Sequence, residues 1–135
     1  MGVYSGIAQD NVTITSGNAT LTTLTVTGAS TLQSVRSTAD IPVTKTADFT
    51  VAATENMLIN NKSGSACVVT LPAAASWAGR RIVIKTVQAQ AVNSASSNVI
   101  PRAGGAAGTA IVTGTAGNWA ELVSDGTNWV LMAGS

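Results

Sequence analysis

The chain has 135 residues, of which Ala, Thr, Val, Gly and Ser supply 82; only 10% are charged, the net charge is +1 and histidine is absent. Without histidine the usual general base near neutral pH and the commonest metal ligand are missing, and the single Cys67 excludes an internal disulfide and a cysteine-rich zinc site. The seven Lys and Arg residues are spread along the chain and form no patch able to neutralise several phosphates, so no enzyme, cofactor, metal site or nucleic-acid partner is expected.

The opening Met1-Gly2-Val3-Tyr4-Ser5-Gly6 lacks the basic region and apolar core of a secretory signal. Gly6 stands where a myristoylation motif requires Ser or Thr. No apolar run reaches the roughly 20 residues of a membrane span, so neither export through a signal peptide nor a membrane partner is expected. A hydrophobic fraction of 45% beside this low charge is the opposite of a disordered composition.

Residues 11–38 are Thr, Ser, Ala, Asn and Gly punctuated by single aliphatics: Val12, Ile14, Leu21, Leu24, Val26, Leu32 and Val35. Val12-Thr13-Ile14-Thr15 and Leu24-Thr25-Val26-Thr27 alternate apolar with polar, the period of a half-buried strand. Thr15, Gly17 and Thr20-Leu21 return loosely as Thr27-Gly28 and Thr31-Leu32, and Ser16-Gly17-Asn18 and Gly28-Ala29-Ser30 are turn-like. Seven aliphatics in short strands cannot bury themselves. Three copies wound about a common axis would enclose such a stripe and remove the open strand edges. The segment therefore reads as an intertwined trimeric β-stem, with a flexible Thr-rich linker as the alternative.

Residues 39–135 read as a compact antiparallel β-domain of sandwich or prism type. Strands are predicted at Phe49–Val51, Met57–Ile59, Cys67–Leu71, Arg81–Lys85, Asn98–Ile100 and Ala110–Val112, separated by Gly, Ser, Asn and Pro clusters. Asn60–Ser65 is expected to be a hairpin loop and Pro72 to end the third strand. Ala73–Ala78 suits one helical turn stopped by Gly79. Asp125-Gly126 predicts a two-residue hairpin turn joining Asn118–Ser124 to Thr127–Ala133. In that register Leu122 faces Trp129 and Ala120 faces Leu131 on the core side. Trp119, Glu121, Val123, Asn128, Val130 and Met132 take the other side, either solvent or a subunit interface.

Other candidate groups are weaker. Asp10, Asp40, Asp48 and Glu55 match no calcium-loop spacing. Gly104-Gly105-Ala106-Ala107-Gly108 lacks the Lys-Ser/Thr of a phosphate loop. Arg81 and Lys85 share a strand face with Arg80 opposite, which reads as a solvated strand with a charged end. Cys67 lies in a Val-rich strand as a small buried residue.

Val69-Thr70-Leu71-Pro72-Ala73-Ala74, Gly79-Arg80-Arg81-Ile82-Val83-Ile84-Lys85, Asn98-Val99-Ile100-Pro101 and Leu122-Val123-Ser124-Asp125-Gly126-Thr127-Asn128-Trp129, in that order, resemble the C-terminal β-modules of tailed-bacteriophage fibre and head-decoration proteins. The Thr-rich repeats at 11–35 resemble the trimeric stems that precede such modules. The resemblance implies a non-enzymatic homotrimer on the virion surface, made in the host cytoplasm. Its brevity suits a capsid decoration protein or head spike better than a long tail fibre. It further implies a partner in the major capsid protein or another virion protein, reached through residues 1–10. There Val3, Tyr4 and Ile7 would add to a sheet edge or fill a groove, the alternative being a frayed terminus. A second reading, raised by Trp77, Trp119 and Trp129, is a short tail-fibre or receptor-binding component that stacks a host surface glycan on an exposed ring, with Trp77 alternatively capping the domain or its trimer interface. Trp129, opposite Leu122, is expected in the core.

Overall fold

The computed structural model describes residues 38–135. Among them the chain is all-β. Ten strands run in order: β1 (Val43–Lys45), β2 (Phe49–Thr50), β3 (Met57–Asn60), β4 (Cys67–Thr70), β5 (Arg81–Thr86), β6 (Val92–Ser94), β7 (Val99–Ile100), β8 (Ala110–Val112), β9 (Trp119–Ser124) and β10 (Trp129–Gly134). The helical segments are single 3-10 turns at Thr38–Asp40 and Ala74–Ser76. The second turn is the one that Ala73–Ala78 predicts, and Gly79, with φ of +82°, ends it.

From β1 to β9 successive strands alternate between two sheets, and β10 stays in the sheet of β9. The larger has the order β1-β3-β5-β9-β10-β7 and the smaller β2-β4-β6-β8. Over the first six strands each return to a sheet, after a visit to the other, runs in the same direction, so β1, β3 and β5 are parallel neighbours, as are β2, β4 and β6. Val43 lies opposite Leu58 and Met57 opposite Val83, steps of 15 and 26 residues along the wound chain. Antiparallel pairing enters with β9, which pairs with β5 and β10, and with β8 against β6. The expected antiparallel domain is thus corrected to a mixed one. Period-two alternation identifies a strand's buried face, and that face is the same whether the neighbour runs parallel or antiparallel.

The loop at Asn60–Ser65 shows why strand direction departs from expectation. It carries the chain from β3 in one sheet to β4 in the other and closes no hairpin. Its course is fixed by side chains. The Asn60 carboxamide, fully buried at the end of β3, donates to Thr86 Oγ1 at 3.2 Å and accepts the Lys62 amide at 3.1 Å. Lys62 Nζ then donates to Asp48 Oδ1 at 2.7 Å and to the Ala66 carbonyl at 2.9 Å. Strands β1 and β6, which the sequence reading does not predict, complete the two sheets.

Both sheets turn residues inward onto one core, alternate ones except in β8, where adjacent Ile111 and Val112 are both buried. Leu58, Ile82, Ile84, Ala120, Leu122 and Trp129 come from the larger sheet, and Cys67, Val69, Val92, Ile111 and Val112 from the smaller. Trp129 is fully buried, as its pattern predicts, and its Nε1 donates to the Pro72 carbonyl at 2.9 Å. The Cys67 thiol is buried too, which pushes its pKa up.

The closing hairpin differs from its predicted form in register. Trp129 pairs with Ser124, Val130 with Val123 and Leu131 with Leu122, and the register shifts at Met132, so that Ala133 meets Glu121. The connection is therefore four residues, Asp125–Asn128. The Asp125 carboxylate accepts the amides of Thr127 at 2.7 Å and Asn128 at 2.6 Å, and these bonds hold its pKa below the usual range. A shift of two residues keeps Trp129, Val130 and Leu131 on their predicted faces, whereas the irregularity at Met132 carries Ala133 to the outer face beside Glu121.

The first winding turn is tied by carboxylates. Glu55 Oε1 accepts Lys45 Nζ at 2.6 Å and Oε2 accepts the Ala52 amide at 3.1 Å, and Lys45 also lies 5.6 Å from the Phe49 ring centroid. The Lys45 hydrogen bond is the main cause of a lowered Glu55 pKa, against a desolvation that raises it. Because the folded value lies below the unfolded one, this pair stabilises the domain above about pH 4.5 and the contribution is lost as pH falls through the folded value. Asp48 and Asp125 act with the same sign. Glu55→Gln should flatten part of the acid limb in a series of urea midpoints taken downward from about pH 6. An unchanged limb would remove Glu55 from this account.

Candidate functional site

The residues predicted for a capsid anchor (Val3, Tyr4, Ile7) and for a stem core (Val12, Ile14, Leu21, Leu24, Val26, Leu32, Val35) lie outside the described residues, as does Asp10. The remaining candidates are placed individually. Asp40 accepts Asn56 Nδ2 at 3.2 Å, Asp48 holds Lys62 and the Val68 amide, and Glu55 holds Lys45. Among the described residues no three His, Cys, Asp or Glu side chains cluster as a metal site would need.

Arg80 departs from the expected solvated arginine. Its guanidinium stacks 4.4 Å from the Trp77 ring centroid, donates through Nε to Asn56 Oδ1 at 3.0 Å, and donates through Nη2 to the carbonyls of Ala52 and Glu55, both at 2.7 Å. Nη1 is buried without a hydrogen-bond partner among the described residues. Burial lowers the Arg80 pKa, partly opposed by the Glu55 carboxylate. The planar fork thus fastens the loop before β3 to the start of β5. A cleft of about 470 Å³ beside it is lined by Asp40, Asn56, Met57, Gly79, Arg80 and Arg81. Asn56 bridges Asp40 and Arg80 there, and Arg81 is engaged with Glu121.

The outer face of the larger sheet has a different character. Registers across β3, β5, β9 and β10 place Ile59, Lys85 and Trp119 in one row, Met57, Val83, Glu121 and Ala133 in the next, and Arg81, Val123 and Val130 in the third. Ile100 of β7 extends the third row beside Val130. Eight of these eleven side chains are apolar. Arg81 donates to Glu121 at 2.8 Å, so two of the three charges neutralise each other within the face. Trp119 is 37% exposed and Met132, at the register shift, 58%. A groove of about 260 Å³ runs between Pro42, Met57, Ile59, Val83, Lys85 and Trp119.

Compared with known protein families, curated proteins and solved structures, the chain matches none. The chemistry of the face therefore stands by itself. Apolar side chains around an internally paired Arg and Glu lower the cost of excluding water from a flat surface. The face is broad, mainly apolar and nearly balanced in charge. Its hairpin half, Trp119, Glu121, Val123, Val130 and Met132, is the predicted solvent or interface side. Met57, Ile59 and Val83 were not predicted there, although the alternation in Met57-Leu58-Ile59 and Arg81–Lys85 marks them as opposite to the buried Leu58, Ile82 and Ile84.

Proposed function

We propose that this chain is a non-enzymatic structural protein of a bacteriophage virion, a homotrimer that decorates the capsid and works by contacts alone. The observation that carries the reading is the broad apolar outer face of the larger sheet, in a domain most of whose charged groups are engaged in internal ties. Residues 11–38 supply the trimeric β-stem in this reading, because their seven spaced aliphatics need neighbouring copies to cover them. Residues 1–10, through Val3, Tyr4 and Ile7, dock on the shell. The likeness of the ordered segments from Val69 to Trp129 to phage fibre and decoration modules supplies the setting.

A short tail-fibre or receptor-binding component is the second reading, favoured by one observation: Trp119 is partly open beside Lys85 and Ile59, where a sugar ring could stack. Absolute mass by light scattering after size exclusion tests the first reading. A mass near three times 13.5 kDa is expected, followed by co-sedimentation with undecorated shells. A mass of one chain would overturn the trimer and move the receptor-binding module to first place.

A further inference from the structure

We propose that the outer face of the larger sheet is covered by the same face of further copies of this chain, so that the β-domains as well as the stems meet around the particle's axis. The inference rests on the trimer reading and adds to it the surface on which the domains touch.

Three observations point to a copy of the chain as the occupant. The first is charge. Arg81 and Glu121 neutralise each other at 2.8 Å, which leaves Lys85 as the one unmatched charge of the face among the described residues. A foreign partner selected by charge complementarity would find little to read there, whereas apolar rows such as Met57–Val83 and Val123–Val130 are complementary to themselves.

The second is size. Strands spaced about 4.8 Å apart, two to six residues long at about 3.3 Å per residue, give the six-stranded sheet a face on the order of 500 Å² at most. A stable independent interface needs about 800 Å² from each partner. The face is too small to capture a free protein by itself and large enough to close between domains that are already tethered.

The third is the chain that precedes the domain. A stripe of seven aliphatics over residues 11–38 has the same need for a cover. Association through that stripe would hold neighbouring β-domains at an effective concentration in the millimolar range, where a small apolar face suffices. One association event then answers both unburied surfaces.

Trp119 reports on the face directly, because the chain's other tryptophans lie elsewhere. Trp129 is fully buried and Trp77 sits under Arg80. The experiment compares acrylamide quenching of the full-length protein with that of Trp119→Phe, with the mass of each particle measured in parallel. If the face is covered, Trp119 belongs to the protected emission, and its removal raises the fraction of emission that acrylamide can reach. A lowered fraction in a particle of three-chain mass would overturn the covered face and leave the trimer standing, with Trp119 open to a ligand. A single-chain mass for the wild-type protein would overturn both. Met132→Ala gives an independent readout. It trims an exposed side chain from the face, so the trimer should dissociate at a lower urea concentration while the domain's own unfolding midpoint stays in place. An unchanged dissociation midpoint counts against the proposal.

Discussion

Trp129→Ala should lower the unfolding free energy of the β-domain by about 3–5 kcal/mol, the range for truncating a large buried aromatic. Three features place the effect toward the upper end. The ring has no solvent exposure, so its whole apolar area is lost from the core. The indole Nε1 satisfies the Pro72 carbonyl at 2.9 Å, and alanine leaves that acceptor without its donor. The residue also opens β10, held between β9 and β7, with its own amide donating to the Asn98 carbonyl at 2.9 Å. The side chain thus joins the closing hairpin to the segment after β4, which is distant in sequence. Trp129→Phe separates the contributions, because it keeps most of the ring and loses the hydrogen bond. Its expected cost is about 1–3 kcal/mol, that of a buried carbonyl left unpaired. Urea unfolding followed by far-ultraviolet circular dichroism reads both variants. A loss below about 1 kcal/mol for Trp129→Ala, well short of the range for buried aromatics, would mean that the hairpin is not part of the cooperative core.

What is legible in the sequence follows from what each signal encodes. Alternation reveals faces, so Trp129 and Leu122 are predicted inside, and Trp119 and Val123 on the opposite side. Cys67-Val68-Val69 shows the same rule, with Cys67 and Val69 fully buried and Val68 at 40% exposure. Strand direction has no such local signature. It depends on whether a loop such as Asn60–Ala66 folds back beside its own strand or crosses to the other sheet. That choice is made by distant partners, with Lys62 reaching Asp48 and Asn60 reaching Thr86. Hairpin length is hidden for a related reason. Asp-Gly favours a two-residue turn, but the Asp125 carboxylate captures the amides of Thr127 and Asn128 and draws both into the loop. Arg80 reads as a surface charge because nothing local announces the carbonyls of Ala52 and Glu55 or the ring of Trp77 around it. The candidate site is half legible. The hairpin contributes its outward residues from its own pattern, whereas Met57, Ile59 and Val83 join them only once the parallel order β3-β5 and its continuation into β9 are known.

Leu24→Asp should abolish the trimer, because the proposed stem turns one side of Leu24-Thr25-Val26-Thr27 toward the axis. Fully burying a leucine is worth about 1.5–3 kcal/mol relative to leaving it exposed. The aspartate loses that and adds a charge that must be either desolvated, at several kcal/mol, or neutralised by a raised pKa. Three copies repeat the penalty at one level of the axis, where the carboxylates would also repel one another. Thr25→Asp is the matched control. In a strand its side chain points to the opposite face, so the same charge one position along should leave the particle at three chains. Light scattering at equal protein concentration separates the outcomes: Leu24→Asp at the mass of one chain and Thr25→Asp at that of three fits a β-stem with a one-sided core. Equal loss in both would indicate general sensitivity to charge without alternation. Retention of three chains in Leu24→Asp would remove this stretch from the assembly and return residues 11–38 to the role of a Thr-rich linker. In that case the outer face of the larger sheet would have to hold the copies together alone, and the view that an area on the order of 500 Å² closes only between tethered domains would be overturned.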